Sequence, residues 1–371
     1  MSDDTKPRSG PRAGRPKLRD DGRLSAPGQL QQGDKVPDGV LTAEMPAEDL
    51  AAYAAEHGLR PAARRPPIPE YIQQLWLRRS FMLAFATARN VAMYTEARLG
   101  QAWQILTPLL NAGVYFLIFG LLLHVSRGIP NYLGFLVTGV FVFNFTQRAF
   151  ISTSTVITES LPLIRALQFP RAALPLAYVL IELQQMLLSM AVLAVIILIT
   201  GEPLTWYWLL AIPALLLQTL FNVGMGLFVS RLGSQVNDFS QLLPFLLRTW
   251  MYVSGVLFSI ASLSVSTPGW AIALLEINPA ALYITLIRNA LMLSQRLSAP
   301  GTAVYNKSLC HLWNTLGKRT NAPKQYLYDS AHCASVANPS HFWYYAIGWA
   351  VAAFLVGFVF FWRSEAKYGR G

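Results

Sequence analysis

Among the polar side chains inside the long apolar runs of this 371-residue sequence, eight are notable: Asn144, Gln147 and Arg148 in one run, Glu182, Gln184 and Gln185 in the next, Asn222 in a third and Arg248 in a fourth. Polar groups in apolar surroundings are expensive unless they are paired, so they tend to be kept for a task. Arg148 and Arg248 have two readings. They snorkel toward an interface or sit in a buried pair, or they face an aqueous passage and attract an anion such as a diphosphate. Glu182 is the only acid well inside such a run. A lone carboxylate there more often pairs with an arginine or a hydroxyl than drives ion-coupled transport. Phe141, Phe145, Trp250 and Tyr252 lie in the runs that hold Arg148 and Arg248. Their rings pack in a core, or they offer flat apolar faces to sugar rings.

Other chemistry is absent. No GxxxxGK[ST] phosphate loop occurs; Gly317-Lys318-Arg319-Thr320 is a partial look-alike without the upstream glycine. The chain is therefore expected to hold neither ATP nor Mg itself. Glu159, Glu202 and Glu276 are isolated, and no Ser/His/Asp set shares a face. Cys310 and Cys333, with His311, His332 and His341 nearby, lack a spacing that marks a metal site, so none is expected. A membrane enzyme of glycan assembly, such as a glycosyltransferase or polymerase, is the alternative class. It would need an acid or histidine site at a membrane face.

The elements that must position these residues are set by composition. The chain is 53% hydrophobic and 13% charged with mean hydropathy +0.36, which predicts an integral membrane protein. The first residues, MSDDTKPRSG, contain no apolar core, so no cleavable signal is expected. The net charge is +11, scattered among apolar runs rather than gathered on one face, which argues against nucleic acid as a partner.

The predicted fold is an all-α membrane protein with six transmembrane helices. Residues 1–70 read as a disordered cytoplasmic tail rich in proline and mixed charge, with a short helical stretch at Pro46–Gly58. Residues 71–103 read as an amphipathic interface helix beside the membrane. Residues 104–263 carry spans one to five: Gln104–Val125, Tyr132–Thr153, Leu174–Thr200, Trp206–Ser230 and Gln241–Leu263. Residues 264–340 form an extracytoplasmic region, and 341–371 the sixth span, Phe342–Trp362, with a cytoplasmic C-terminal tail. Trp270–Leu275 and Tyr283–Leu293 are too short to span and read as two helices dipping into the outer leaflet. Tyr94–Val125 reads as one near-continuous helix running from a charged surface segment into span one.

Short loops fix the orientation. Arg78, Arg79, Arg89, Arg98, Arg165, Arg171, Arg231, Arg363, Lys367 and Arg370 fall on the side of the N-terminus, whereas the opposite short loops hold only Arg127. Both termini are therefore cytoplasmic. Cys310 and Cys333 then face an oxidising compartment, where a single pair most often forms a disulfide, here stabilising by about 3 kcal/mol.

Three motifs carry a resemblance to a known family. Arg98-Leu99-Gly100-Gln101-Ala102-Trp103 followed by Pro108 resembles the opening of span one in permease subunits of ABC-2 type polysaccharide exporters, which handle O-antigen, teichoic acid and related lipid-linked glycans. Phe169-Pro170-Arg171-Ala172-Ala173-Leu174-Pro175-Leu176 resembles the start of that family's span three, and Asn278-Pro279 with Arg288 the region before its last span. The likeness covers about Tyr71–Lys367. The N-terminal tail and the Cys-bearing excursion depart from the family pattern and look most like actinobacterial members that export cell-wall galactan. The resemblance implies a bacterial plasma-membrane homodimer working with two copies of a separate ATP-binding subunit, which binds ATP and Mg. It also implies partner-coupling residues among Tyr94, Glu96, Arg98, Glu159, Arg165, Phe169, Pro170 and Arg171, a coupling helix around Thr158–Arg171, outer gate helices after span five, and a channel lined by spans one and five.

Overall fold

A computed structural model describes residues 67–95, 98–122, 131–166, 169–236, 238–258, 274–275, 277–292, 303–304, 336–337 and 340–365. Arg65–Gly371 forms one compact unit. Residues 1–66, Glu96, Glu276, Cys310 and Cys333 lie outside the described residues, and Ile68–Glu70, read as the end of the tail, are helical.

The interface region is two helices, α1 (Ile68–Leu77) and α2 (Arg79–Thr95). Pro69 suits the first turn of α1, where a missing N–H matters least. Helix α3 begins at Trp103 and runs to Tyr115, continuing as a π-helical stretch over Phe116–Leu122. Helix α4 (Tyr132–Glu159) is followed by the short α5 (Leu161–Ala166), then α6 (Ala173–Ile199), α7 (Ala211–Gln235), α8 (Phe239–Val253), α9 (Pro279–Leu291) and α10 (Ser340–Trp362). Strand β1 (Ala303–Val304) pairs antiparallel with β2 (Val336–Ala337), aligning Ala303 with Ala337.

Among the described residues five helices are long and apolar enough to cross a membrane: Trp103–Leu122, Tyr132–Glu159, Ala173–Ile199, Trp206–Gln235 and Phe342–Trp362. The chain is thus a multi-pass membrane protein. The stretch read as span five differs from expectation. Its helix, α8, has 15 residues, about 22 Å at 1.5 Å per residue, short of the roughly 30 Å of a bilayer core. Ser254–Phe258 turns instead of continuing the helix, with Gly255 at φ 64°. The freed carbonyls are satisfied by Arg288, which donates to Gly255 O and Val256 O at 2.8 Å each and to Phe135 O at 3.0 Å. Non-helical backbone at membrane depth is tolerated where protein groups satisfy it in this way.

The joint before span one also differs from the near-continuous helix read from sequence. Arg98 and Leu99 lie in a turn, Gly100 takes φ 50°, and a 3₁₀ turn spans Gly100–Ala102. Glycine adopts that left-handed conformation at little cost, so Gly100 breaks the helix that the sequence suggested was near-continuous.

Two apolar clusters hold the bundle. The larger one packs α4, α6, α7, α9 and α10 around Phe143, Phe150, Phe221 and Tyr283, with Trp250 of α8 stacked on Phe150 and edge-on to Phe143. The smaller one gathers Tyr71, Leu75 and Met82 of the interface helices against Val156, Leu174, Leu227 and Phe361. Small residues set the approach of α7 and α10: a Cβ on Gly357 would lie 1.8 Å from the carbonyl oxygen of Gly224. Close backbone contact through glycine is a common way to pack membrane helices, where burial gives no hydrophobic gain over lipid.

Candidate functional site

The polar residues of spans two and three meet in one cleft. Asn144 and Arg148 stand one helical turn apart on α4, and Glu182, Gln185 and Ser189 follow at a spacing that keeps them on one face of α6. Together with Pro108 of α3 and the side chains of Phe141, Phe145 and Met186, they line a small, half-open cleft. Arg148 donates to Gln185 Oε1 at 2.8 Å. Arg148 and Glu182 face the same cleft, so a positive and a negative group oppose each other there. No hydrogen-bond partner for the Glu182 carboxylate occurs among the described residues.

A chain of amides ties this cleft to the interface helix. Asn90 of α2 accepts from Gln104 of α3 at 2.9 Å and from Gln185 at 3.5 Å through the same Oδ1, and donates to Gln184 Oε1 at 3.3 Å. Gln184 in turn donates to Thr87 at 3.1 Å. Thr87 and Asn90 are three residues apart and share a helix face, which the sequence could have signalled. Tyr94, one turn further, is half-buried near Arg148 and Glu182; burial raises its hydroxyl pKa, Arg148 pulls it down, and Glu182 adds to the rise.

The remaining predicted site residues fall elsewhere. Phe141, Phe145 and Arg148 line the cleft, but Arg248, Trp250 and Tyr252 do not. Trp250 packs in the aromatic core and donates to Asn278 Oδ1 at 2.9 Å. Arg248 and Tyr252 are exposed on α8. Asn222 is fully buried in α7, with neither amide atom bonded among the described residues.

Of the residues expected to couple to a partner, Arg98 and Glu159 are exposed, and Arg165 sits on α5. Phe169 packs against Phe81 with ring centroids 5.7 Å apart. Pro170 is buried. Arg171 is engaged by the far end of the chain: its backbone N donates to Glu365 Oε1 at 2.9 Å and its guanidinium to the Glu365 carbonyl oxygen. Tyr71 donates to Glu365 Oε2 at 2.8 Å, and its oxygen accepts from Ala172 N at 3.1 Å. This joins α1, the start of α6 and the end of α10.

Asn278 and Arg288 have structural work that sequence reading did not assign. Asn278 Oδ1 caps α9 by accepting from Ala280 N at 3.1 Å, and its amide donates to Ser254 at 3.2 Å. Helix α9 begins at Pro279 rather than Tyr283 and is buried along nearly its whole length. Of the other expected gate helix, only Leu274 and Leu275 are described, both helical.

These helices define a multi-pass membrane protein. The ABC-2 type transporter family matches residues 82–292, more than half of the chain, and the chain belongs to that family. It is also similar to the O-antigen export system permease protein RfbA of Klebsiella pneumoniae, 27% identical over 167 residues, which cover 45% of this chain and 64% of that one. The protein of the same name from Myxococcus xanthus is 22% identical over 192 residues, 52% of this chain and 73% of that one. The chain thus spans less than two thirds of the length of the Klebsiella relative that it matches.

Proposed function

We propose that this chain is the channel-forming membrane subunit of an ATP-driven exporter, and that it moves a polyprenyl-diphosphate-linked polysaccharide, cell-wall galactan, from the cytoplasm across the bacterial plasma membrane. Two copies work with two copies of a separate ATP-binding subunit, which binds ATP and Mg. Six spans place both termini in the cytoplasm, with α8 belonging to the fifth, and α9 is an outer gate element. The exposed faces of α3 and α8, including Arg248 and Tyr252, meet the second copy and the cargo.

The observation that carries this reading is the family match together with the cleft. A bundle that belongs to the ABC-2 type transporters keeps charged and amide groups beside phenylalanine faces at membrane depth, where such groups are retained for a task. Closure of the ATP-binding subunits displaces α5 and the interface helices, and the displacement reaches α3 through Gly100 and the Asn90–Gln104 contact. The break at Gly100 makes this a hinged linkage rather than a rigid lever.

Purification of the chain with its co-expressed genomic neighbours tests the proposal. A stoichiometric ATPase that co-purifies supports it, and full glycan export without one sinks it. Arg165→Glu is expected to lower glycan-coupled ATPase activity; unchanged coupling would remove α5 as the docking surface.

A further inference from the structure

Helix α6 starts without a side-chain cap of its own; Ala172 stands at its N-cap. The N–H groups that open a helix need acceptors, and an anion is favoured there by the helix dipole. Here the acceptors come from distant parts of the chain. Glu365, just past the end of α10, accepts the Arg171 N–H on Oε1 at 2.9 Å, and its carbonyl oxygen accepts from the Arg171 guanidinium. The Tyr71 oxygen of α1 accepts the Ala172 N–H at 3.1 Å, and its hydroxyl donates to Glu365 Oε2 at 2.8 Å. Glu365 thus engages both carboxylate oxygens and its carbonyl at one point. Ring contacts close around it. Tyr71 lies against Phe358 of α10 with centroids 6.0 Å apart, and Phe81 of α2 against Phe169 at 5.7 Å.

This clasp stands at the exit of α5. Arg171 follows closely on the end of α5 at Ala166. A displacement of α5 therefore enters α6 through Arg171 and Ala172, and those two residues are bonded to α1 and to the end of α10. Helix α10 in turn meets α7 backbone to backbone at Gly357 and Gly224, where no side chain can yield. Arg171, read from sequence as facing a partner, is turned inward to this joint. Tyr71 and Glu365 both lie outside residues 82–292, so the family match gives neither of them a role.

We propose that Glu365 is a positioning residue for coupling: it clamps the segment leaving α5 to α1 and α10, so that displacement of α5 reaches the last span as well as α6. The inference rests on the exporter reading for the source of that displacement. Without the clasp, α5 and the first turn of α6 move while the end of α10 stays behind. A contact that only stabilises the fold changes the rates with and without cargo alike. A clasp that carries displacement changes the response to cargo.

The test uses the full chain with the ATPase that co-purifies with it. ATP hydrolysis is measured with and without a lipid-linked glycan fraction extracted from host membranes, below the melting temperature of every variant. Glu365→Ala removes both side-chain acceptors, whereas Glu365→Gln keeps the shape and one acceptor. Stimulation by the glycan fraction should be about fivefold smaller in Glu365→Ala, the low end of what a coupling free energy carries, and near wild type in Glu365→Gln. If both rates fall together and the stimulation holds, Glu365 only stabilises the fold and the proposal is overturned. Unchanged rates in Glu365→Ala overturn it too and leave the exporter reading standing. A loss in Glu365→Gln as large as in Glu365→Ala also overturns it, because the charge and not the hydrogen-bonded clasp would then matter. A wild-type chain that brings down no ATPase overturns the exporter reading itself, and the source of the displacement with it. Should Glu365→Ala fail to accumulate, Tyr71→Phe cuts the clasp from the α1 side and should lower the stimulation in the same direction; full stimulation there overturns the proposal.

Discussion

The Tyr71 hydroxyl donates to the Glu365 carboxylate at 2.8 Å across 294 residues of sequence. Tyr71 is fully buried and Glu365 nearly so, and the same tyrosine oxygen accepts from Ala172 N. One phenol thus ties the first interface helix to the start of α6 and to the end of α10. Tyr71→Phe removes the phenol and leaves a buried carboxylate oxygen and a buried N–H short of a partner, a loss of about 1–3 kcal/mol. The measurement is thermal unfolding of the purified chain in detergent; a melting temperature equal to wild type would show that the joint contributes nothing.

The same joint gives a pH dependence. Burial raises the pKa of Glu365, and the Arg171 backbone N–H, the Tyr71 hydroxyl and the Arg171 charge each pull it down without cancelling the rise. A carboxyl whose folded pKa is raised contributes stability that is complete below the ordinary carboxylate value and is lost as pH rises through the folded value. Glu365→Gln cannot titrate but keeps an acceptor for Tyr71. The melting temperature of wild type relative to Glu365→Gln should therefore be highest near pH 4.5, the ordinary value, and decline as pH increases. A difference that grows with pH would contradict the assignment.

Arg288 explains a glycine. Its guanidinium stands over the Phe135 ring at 3.4 Å and bonds three backbone carbonyls, and a Cβ on Gly139 would come within 2.3 Å of its Nη2. Gly139→Ala should push the guanidinium off those carbonyls and destabilise by about 1–3 kcal/mol through overpacking. Arg288→Met should cost at least as much, because it leaves the turn after α8 unsatisfied. Detergent unfolding of both variants checks this. A stable Gly139→Ala would mean that Arg288 has another resting place.

The bilayer made much of this fold legible before any coordinates. Its thickness forces long apolar runs, and five of the six expected spans are present as helices of sufficient length. The remaining expected span, the fifth, is described as the shorter α8 followed by a turn whose Gly255 and Val256 carbonyls bond Arg288, and a backbone carbonyl carries no residue identity to read. Arg148, Glu182 and Gln185 were visible singly as polar residues in apolar runs. Their meeting was not, because which faces of α4 and α6 oppose is set by packing. Thr87, Asn90 and Gln104 escaped notice because amides and hydroxyls near a surface helix are ordinary. Trp250 stands between a core and a sugar-facing reading in the sequence because an aromatic residue carries no mark of which side it faces; it packs in the core. The Tyr71–Glu365 contact had no sequence signal, since the two residues lie at opposite ends of the helical chain.

Helices α7 and α10 cross where Gly224 meets Ala353 and Gly357. A Cβ on Gly224 would lie 2.3 Å from the Ala353 carbonyl carbon, and one on Gly357 would lie 1.8 Å from Gly224 O. Both obstacles are backbone, which cannot rotate aside as a side chain can. Gly357→Ala must therefore separate the two helices, opening gaps around Phe221 and Phe361 on either side of the crossing. Overpacking of this kind costs about 1–3 kcal/mol or more. Gly348→Ala, on the same helix but with no heavy atom within 4 Å of its Cβ position, is the control and should unfold like wild type. If Gly357→Ala unfolds like that control, the close approach of α7 and α10 is wrong.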